Sequence, residues 1–183
     1  MSVASIIKDT ETRMGKTLES AAADFATLRT GRANPAMLDS LRVDYYGTPT
    51  PVNQLGNITS PEPRVLLIEP WDKGSMQAIE KAIMNSSLGL NPNNDGTRIR
   101  LNIPPLTTER RKEFVKQLAG KAEAARVALR NIRRDGNEQL KKDEEVTDDE
   151  AKRAEKDVQK LVDKYVAELE AMAKQKEEEL MEN

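Results

Sequence analysis

The stretch RVALRNIRRDGNEQLKK, from Arg126 to Lys142, sets Arg126, Arg130, Arg133 and Arg134 within nine residues. A guanidinium is a permanently charged planar fork whose parallel N–H donors match two phosphate oxygens, so a row of them is suited to gripping a polyanion backbone. At 100° per residue, these four share roughly 100° of helix surface with Lys112, Lys116, Asn137 and Lys141. The stretch contains no aromatic side chain, so it lacks the stacking platforms that single strands require. What remains is contact with the backbone of folded, double-stranded nucleic acid, where phosphate position is read more than base sequence.

Few other residues offer chemistry. The 183-residue chain has no histidine and no cysteine, which removes the usual acid/base near neutral pH, thiolate nucleophiles, disulfides and the commonest metal ligands. NPNNDG, from Asn91, imitates the start of a calcium loop, but the twelfth position is Asn102 where a bidentate Glu is needed; it reads as a turn between strands. LRTGRANP has a single glycine and no GK[ST], so it is no phosphate-binding loop. Asp148, Asp149, Glu144 and Glu145 fall in a helix connection and read as capping and solvation. The protein is therefore expected not to be an enzyme and to need no cofactor or metal. No apolar run approaches the ~20 residues that span a bilayer, and MSVASIIKDTETRMGK has neither signal-peptide nor transit character. A soluble, cytoplasmic monomer is expected.

The row must be carried by a long helix. After Pro104 and Pro105, Thr107 or Thr108 can cap one whose apolar seam is Phe114, Leu118, Ala122, Ala125, Leu129, Ile132, Gly136 and Leu140. That seam centres roughly 120° from the arginines, which makes the basic stripe a second, separate face. Gly136 on the seam costs about 1 kcal/mol against Ala, so a neighbouring helix should approach closely there. Another helix is read over 3–28, with Ile7, Met14, Leu18, Ala21, Phe25 and Leu28 on its seam. TDDE, with Thr147 and Glu150 at capping-box spacing, opens a third, whose seam runs Ala151, Ala154, Val158, Leu161, Tyr165, Leu169, Met172 and Leu180. Three long helices with one narrow stripe each can hide those stripes only against one another.

Between the first two, LRVDYYG, TPTPVNQLG, RVLLIEP and TRIRLNIPP read as strands. GSMQAIEKAIMNSSLG reads as a helix with Met76, Ile79, Ile83 and Met84 inward and a C-terminal glycine, Gly89. The fold class is thus α+β. A three-helix bundle (1–29 and 106–183) carries a small inserted β/α/β domain (30–105), and the connections near 29–35 and 104–107, punctuated by Gly31, Pro35, Pro104 and Pro105, are a candidate hinge. The formal charge of −2 hides an uneven layout: 108–142 carries 11 Lys/Arg against 5 Asp/Glu, and 143–183 carries 7 against 15. Two readings of the row follow. It contacts nucleic acid, or it belongs to a non-enzymatic helical adaptor whose basic face docks on an acidic protein partner or on the chain's own third helix.

LRTGRANPAMLDSLRVDYYGTPTPVNQL, GLNPNNDGTRIRLNIPPLTTERRKE and RVALRNIRRD, in order along the chain, resemble the ribosome recycling factor family. The resemblance implies an L-shaped molecule, like transfer RNA in outline. It implies binding to the large-subunit RNA of the post-termination ribosome and, with elongation factor G and GTP, splitting into subunits that frees messenger RNA and deacylated transfer RNA. By motif, the family's RNA-facing arginines fall on Arg111 in TTERRKE, on Arg130 and Arg133 in RNIRRD, and on Arg29 and Arg32 in LRTGR. Arg126 and Arg134 are added by the helical wheel. Gly136 departs from the alanine common in the family.

Overall fold

A computed structural model describes residues 2–182. By contact the chain divides into two compact units, one of Thr107–Glu182 with the N-terminal segment through Thr30, the other Gly31–Leu106.

The first unit is three mutually packed helices, α1 (Val3–Ala26), α3 (Thr108–Lys142) and α4 (Asp148–Met181). Each starts on a side-chain cap that satisfies backbone N–H groups left over by the first turn. Ser2 accepts from the Ser5 N–H and Thr107 from that of Arg110. Thr147 and Glu150 form a full capping box, each side chain accepting from the other's N–H at 3.2 and 3.1 Å. With 35 residues, α3 is about 50 Å long at 1.5 Å per residue. All eight of its seam residues are buried, Phe114 to Leu140.

The flanking helices differ in detail from the sequence reading. In α1 the buried face is Ile6, Thr10, Met14, Ala21 and Phe25, whereas Ile7 and Leu18 are only half-buried. In α4 Val162 is buried, and Leu161, Tyr165 and Met172 are half-buried. The Thr10 hydroxyl is accommodated because it donates to the Ile6 carbonyl at 2.8 Å within its own helix. A Cβ on Gly136 would lie 2.8 Å from the Thr10 Oγ1, so the glycine lets α1 and α3 approach closely there.

The second unit has a hairpin, β1 (Arg42–Tyr45) with β2 (Thr48–Pro51), and an antiparallel sheet in the order β3-β4-β6-β5. Its strands are β3 (Gly56–Glu62), β4 (Val65–Pro70), β5 (Pro92–Asn94) and β6 (Ile99–Asn102). The short helix α2 (Met76–Met84) follows β4 and packs on β1. A single apolar cluster, including Leu38, Val43, Leu66, Ile68, Ile79, Ile83, Ile99 and Leu101, fills the centre. Two expectations are corrected here. Helix α2 closes at Asn85, not at Gly89, and Met84 is 65% exposed. NPNNDG contributes β5 as well as a turn, in which the Asp95 Oδ1 accepts from the Thr97 and Arg98 N–H groups.

Both connections enter this unit on one turn. The Ala33 N–H donates to the Pro63 carbonyl (2.7 Å) and the Ile103 N–H to the Arg64 carbonyl (2.8 Å). Gly31 has φ +78°, open to glycine and disfavoured elsewhere, and its missing Cβ would sit 3.3 Å from the Leu106 backbone nitrogen. Candidate hinge residues Gly31, Pro104 and Pro105 therefore lie just outside the two anchored residues, while Pro35 opens a short 3₁₀ turn inside.

Candidate nucleic-acid interface

The basic stripe of α3 divides into two halves according to what α4 offers. Arg126 is drawn inward: its guanidinium bonds Glu170 of α4 through two nitrogens and Glu123 of its own helix at 2.6 Å, leaving the side chain 25% exposed. These hydrogen bonds, first that to Glu170, raise the Arg126 pKa, and the same contact lowers that of Glu170. Two turns on, Arg133 Nη1 donates to the Gln159 Oε1 of α4 at 3.1 Å, and Lys141 lies 3.7 Å from Glu155. Arg126, Arg133 and Lys141 are thus rungs between α3 and α4.

Arg130 and Arg134 form the outer half. Arg130 is 61% exposed, with a loose 3.8 Å approach to Glu123. Arg134 is exposed and has no ion-pair or hydrogen-bond partner among the described residues. The helical wheel contains the cause. Arg126 and Arg133 sit about 40° and 20° from the seam edge at Ala122 and Leu140, whereas Arg130 and Arg134 sit about 80° and 120° away. Treating the stripe as wholly separate from the packing face is therefore corrected: its inner edge is the α3–α4 groove.

The remaining predicted residues are dispersed. Arg111 is half-buried at the start of α3, its Nη2 3.4 Å from the Glu182 carbonyl at the end of α4, where a cation complements the helix dipole. Arg29 and Arg32 are exposed, on either side of Gly31. Sequence reasoning missed Glu123, Glu170, Gln159 and Asp163, which set the state of the arginines. Their signal was available only with the register of α4 against α3. Among the described residues no group of His, Cys, Asp and Glu could hold a metal, and no helix is long and apolar enough to cross a membrane.

Fold and site together define a two-unit protein whose longest helix, packed in a three-helix bundle, bears outward guanidinium groups suited to a phosphate backbone. The family model described as ribosome recycling factor matches residues 21–181. The chain is 57% identical to the ribosome-recycling factor of Syntrophomonas wolfei over 180 residues and 53% identical to that of Clostridioides difficile over 180, in both cases across 97% of each chain. A solution structure of ribosome recycling factor superposes with a TM-score of 0.81 at 42% identity, over 99% of this chain and 98% of the other. A second neighbour, at 45% identity, TM-score 0.67 and full coverage of both chains, belongs to models of T. thermophilus ribosome recycling factor and E. coli elongation factor G bound to the E. coli post-termination complex. This chain belongs to the ribosome recycling factor family.

Proposed function

We propose that this protein binds the post-termination ribosome through the outer face of α3 and, with elongation factor G and GTP, splits it into subunits, releasing messenger RNA and deacylated transfer RNA. The chain itself breaks no bond; the GTP is hydrolysed by its partner. Arg130, Arg133 and Arg134 grip large-subunit RNA phosphates, and Arg126 secures α3 to α4 so that the row stays in line. Arg29 and Arg111 add contacts from the bundle, and Arg32 from the connection after Gly31. The Gly31–Leu106 unit swings about the two connections when the partner pushes on it, and a gripping rod with a moving arm turns that push into strain on contacts between subunits.

The observation that carries this reading is the outward pair, Arg130 and Arg134, on a capped helix packed in the bundle. Relatives support it, one of which is described on the post-termination complex with elongation factor G. An adaptor that docks on acidic protein is disfavoured because the acidic partner helix is already present as α4 and satisfies only the inner half of the stripe. The test is co-sedimentation with bacterial ribosomes over a salt series. Wild type should bind with a steep salt dependence, and Arg130→Ala/Arg134→Ala should weaken it and lower the slope by about two contacts, because each phosphate contact releases counterion. Wild-type affinity and slope in the double variant would refute the assignment.

A further inference from the structure

The three rungs between α3 and α4 are not chemically equivalent. Arg126 meets the carboxylates of Glu170 and Glu123, and Lys141 meets that of Glu155. The middle rung, Arg133 to Gln159, pairs a cation with a neutral amide at 3.1 Å. Gln159 is itself fixed, since its Nε2 donates to the Asp163 Oδ1 at 2.9 Å. Asp163 as a carboxylate only accepts and Arg133 only donates, so a single orientation of the amide satisfies both. The carbonyl oxygen must face the guanidinium.

The consequence is selective. Arg133 makes no ion pair among the described residues, and only one of its five N–H donors is taken. The rung immobilises the fork while leaving its charge uncompensated, so less rotamer entropy is lost when it closes on a phosphate. A Glu in place of Gln159 would pair with Arg133 and cancel its charge, as Glu170 does for Arg126, while losing the donor to Asp163.

We propose that Gln159 is a positioning residue of the RNA-facing surface: with Asp163 it aims the Arg133 guanidinium at phosphate without neutralising it. This rests on the reading of that face as an RNA contact. It assigns part of the site to α4, a helix with an excess of acidic residues.

The test is equilibrium binding of the full chain to bacterial ribosomes over a salt series, with thermal unfolding of each variant. Gln159→Glu should bind roughly tenfold more weakly, with a salt slope lower by about one contact, and should stay folded with a melting temperature within a few degrees of wild type, because the new pair with Arg133 offsets the lost bond to Asp163. In an Arg133→Ala background the same change should cost nothing further. Gln159→Leu, which removes the aim and keeps the charge, should lose less affinity and retain the wild-type slope. The proposal is overturned by wild-type binding of Gln159→Glu alongside a weakened Arg133→Ala, by an equal cost of Gln159→Glu in both backgrounds, or by a flattened slope in Gln159→Leu. Wild-type binding of Arg133→Ala is a different failure, removing the RNA contact on which the positioning role depends.

Discussion

Four arginines that look alike in RVALRNIRRD have different surroundings, and their substitutions should separate accordingly. Arg126→Ala loses contacts to Glu170 and Glu123, so its main effect should be on stability, roughly 1 kcal/mol at most because Glu170 is half in water. Arg134→Ala breaks no internal contact and should leave the stability within about 0.5 kcal/mol of wild type while lowering ribosome affinity. Equal loss of melting temperature in both would contradict this division. A second residue-scale device lies in the small unit. Asp72 accepts from the Gly74 N–H and from the hydroxyls of Tyr45 and Tyr46, and these bonds, the Gly74 one first, lower its pKa. A carboxyl with a depressed folded-state pKa contributes stability above its unfolded value and loses it as pH falls through the folded value. Acid titration of unfolding should therefore show the wild type losing stability below the ordinary carboxylate range. In Asp72→Ala that part of the dependence should be missing. The bond matters for geometry too, because it tethers the exposed Tyr46, whose φ of +49° is uncommon for a bulky side chain.

Between elements, the tight approach of Gly136 to Thr10 makes a sign prediction. Alanine would gain about 1 kcal/mol of helix propensity, but its Cβ would meet the Thr10 Oγ1 at 2.8 Å, an overpacking that costs about 1–3 kcal/mol. Gly136→Ala should lower the melting temperature by a few degrees, yet raise it in a Thr10→Ala background, where the obstructing atoms are gone. Additive effects would show that the helices can part without cost. The α3 seam was legible in full because one buried stripe over 35 residues leaves the helical period no ambiguity. The ends of α1 were harder: Ile6 and Ile7 are both apolar, and the phase is settled by Thr10, a polar residue that its own helix satisfies. Leu161 and Val162 in α4 pose the same adjacent-pair problem. Strand β3 was missed because its sequence, GNITSPE, is largely polar and lies at the sheet edge, where Pro61 is tolerated and the register shifts before Glu62. At the site, residue types showed which side chains could grip phosphate. Which of them are free to do so depends on α4 register, which no local pattern encodes.

At the scale of the whole molecule, the proposed swing would fall on the few residues of the two connections that lie outside the turn at Pro63 and Arg64. Gly31 is the one whose φ excludes most replacements, so Gly31→Val should impair subunit splitting more than ribosome binding. Engineered cysteines that crosslink the units should likewise permit binding and block splitting. Full activity of the crosslinked protein would remove the need for a swing. The central claim is that a phosphate-gripping bundle with a hinged arm converts its partner's work into separation of the subunits. Its most direct test is light scattering of bacterial post-termination ribosomes given this protein, elongation factor G and GTP, together and singly. Rapid splitting is predicted only when all three are present, and its loss with Arg130→Ala/Arg134→Ala. Splitting by elongation factor G and GTP at the same rate without this protein, or undiminished splitting by the double variant, would contradict the account.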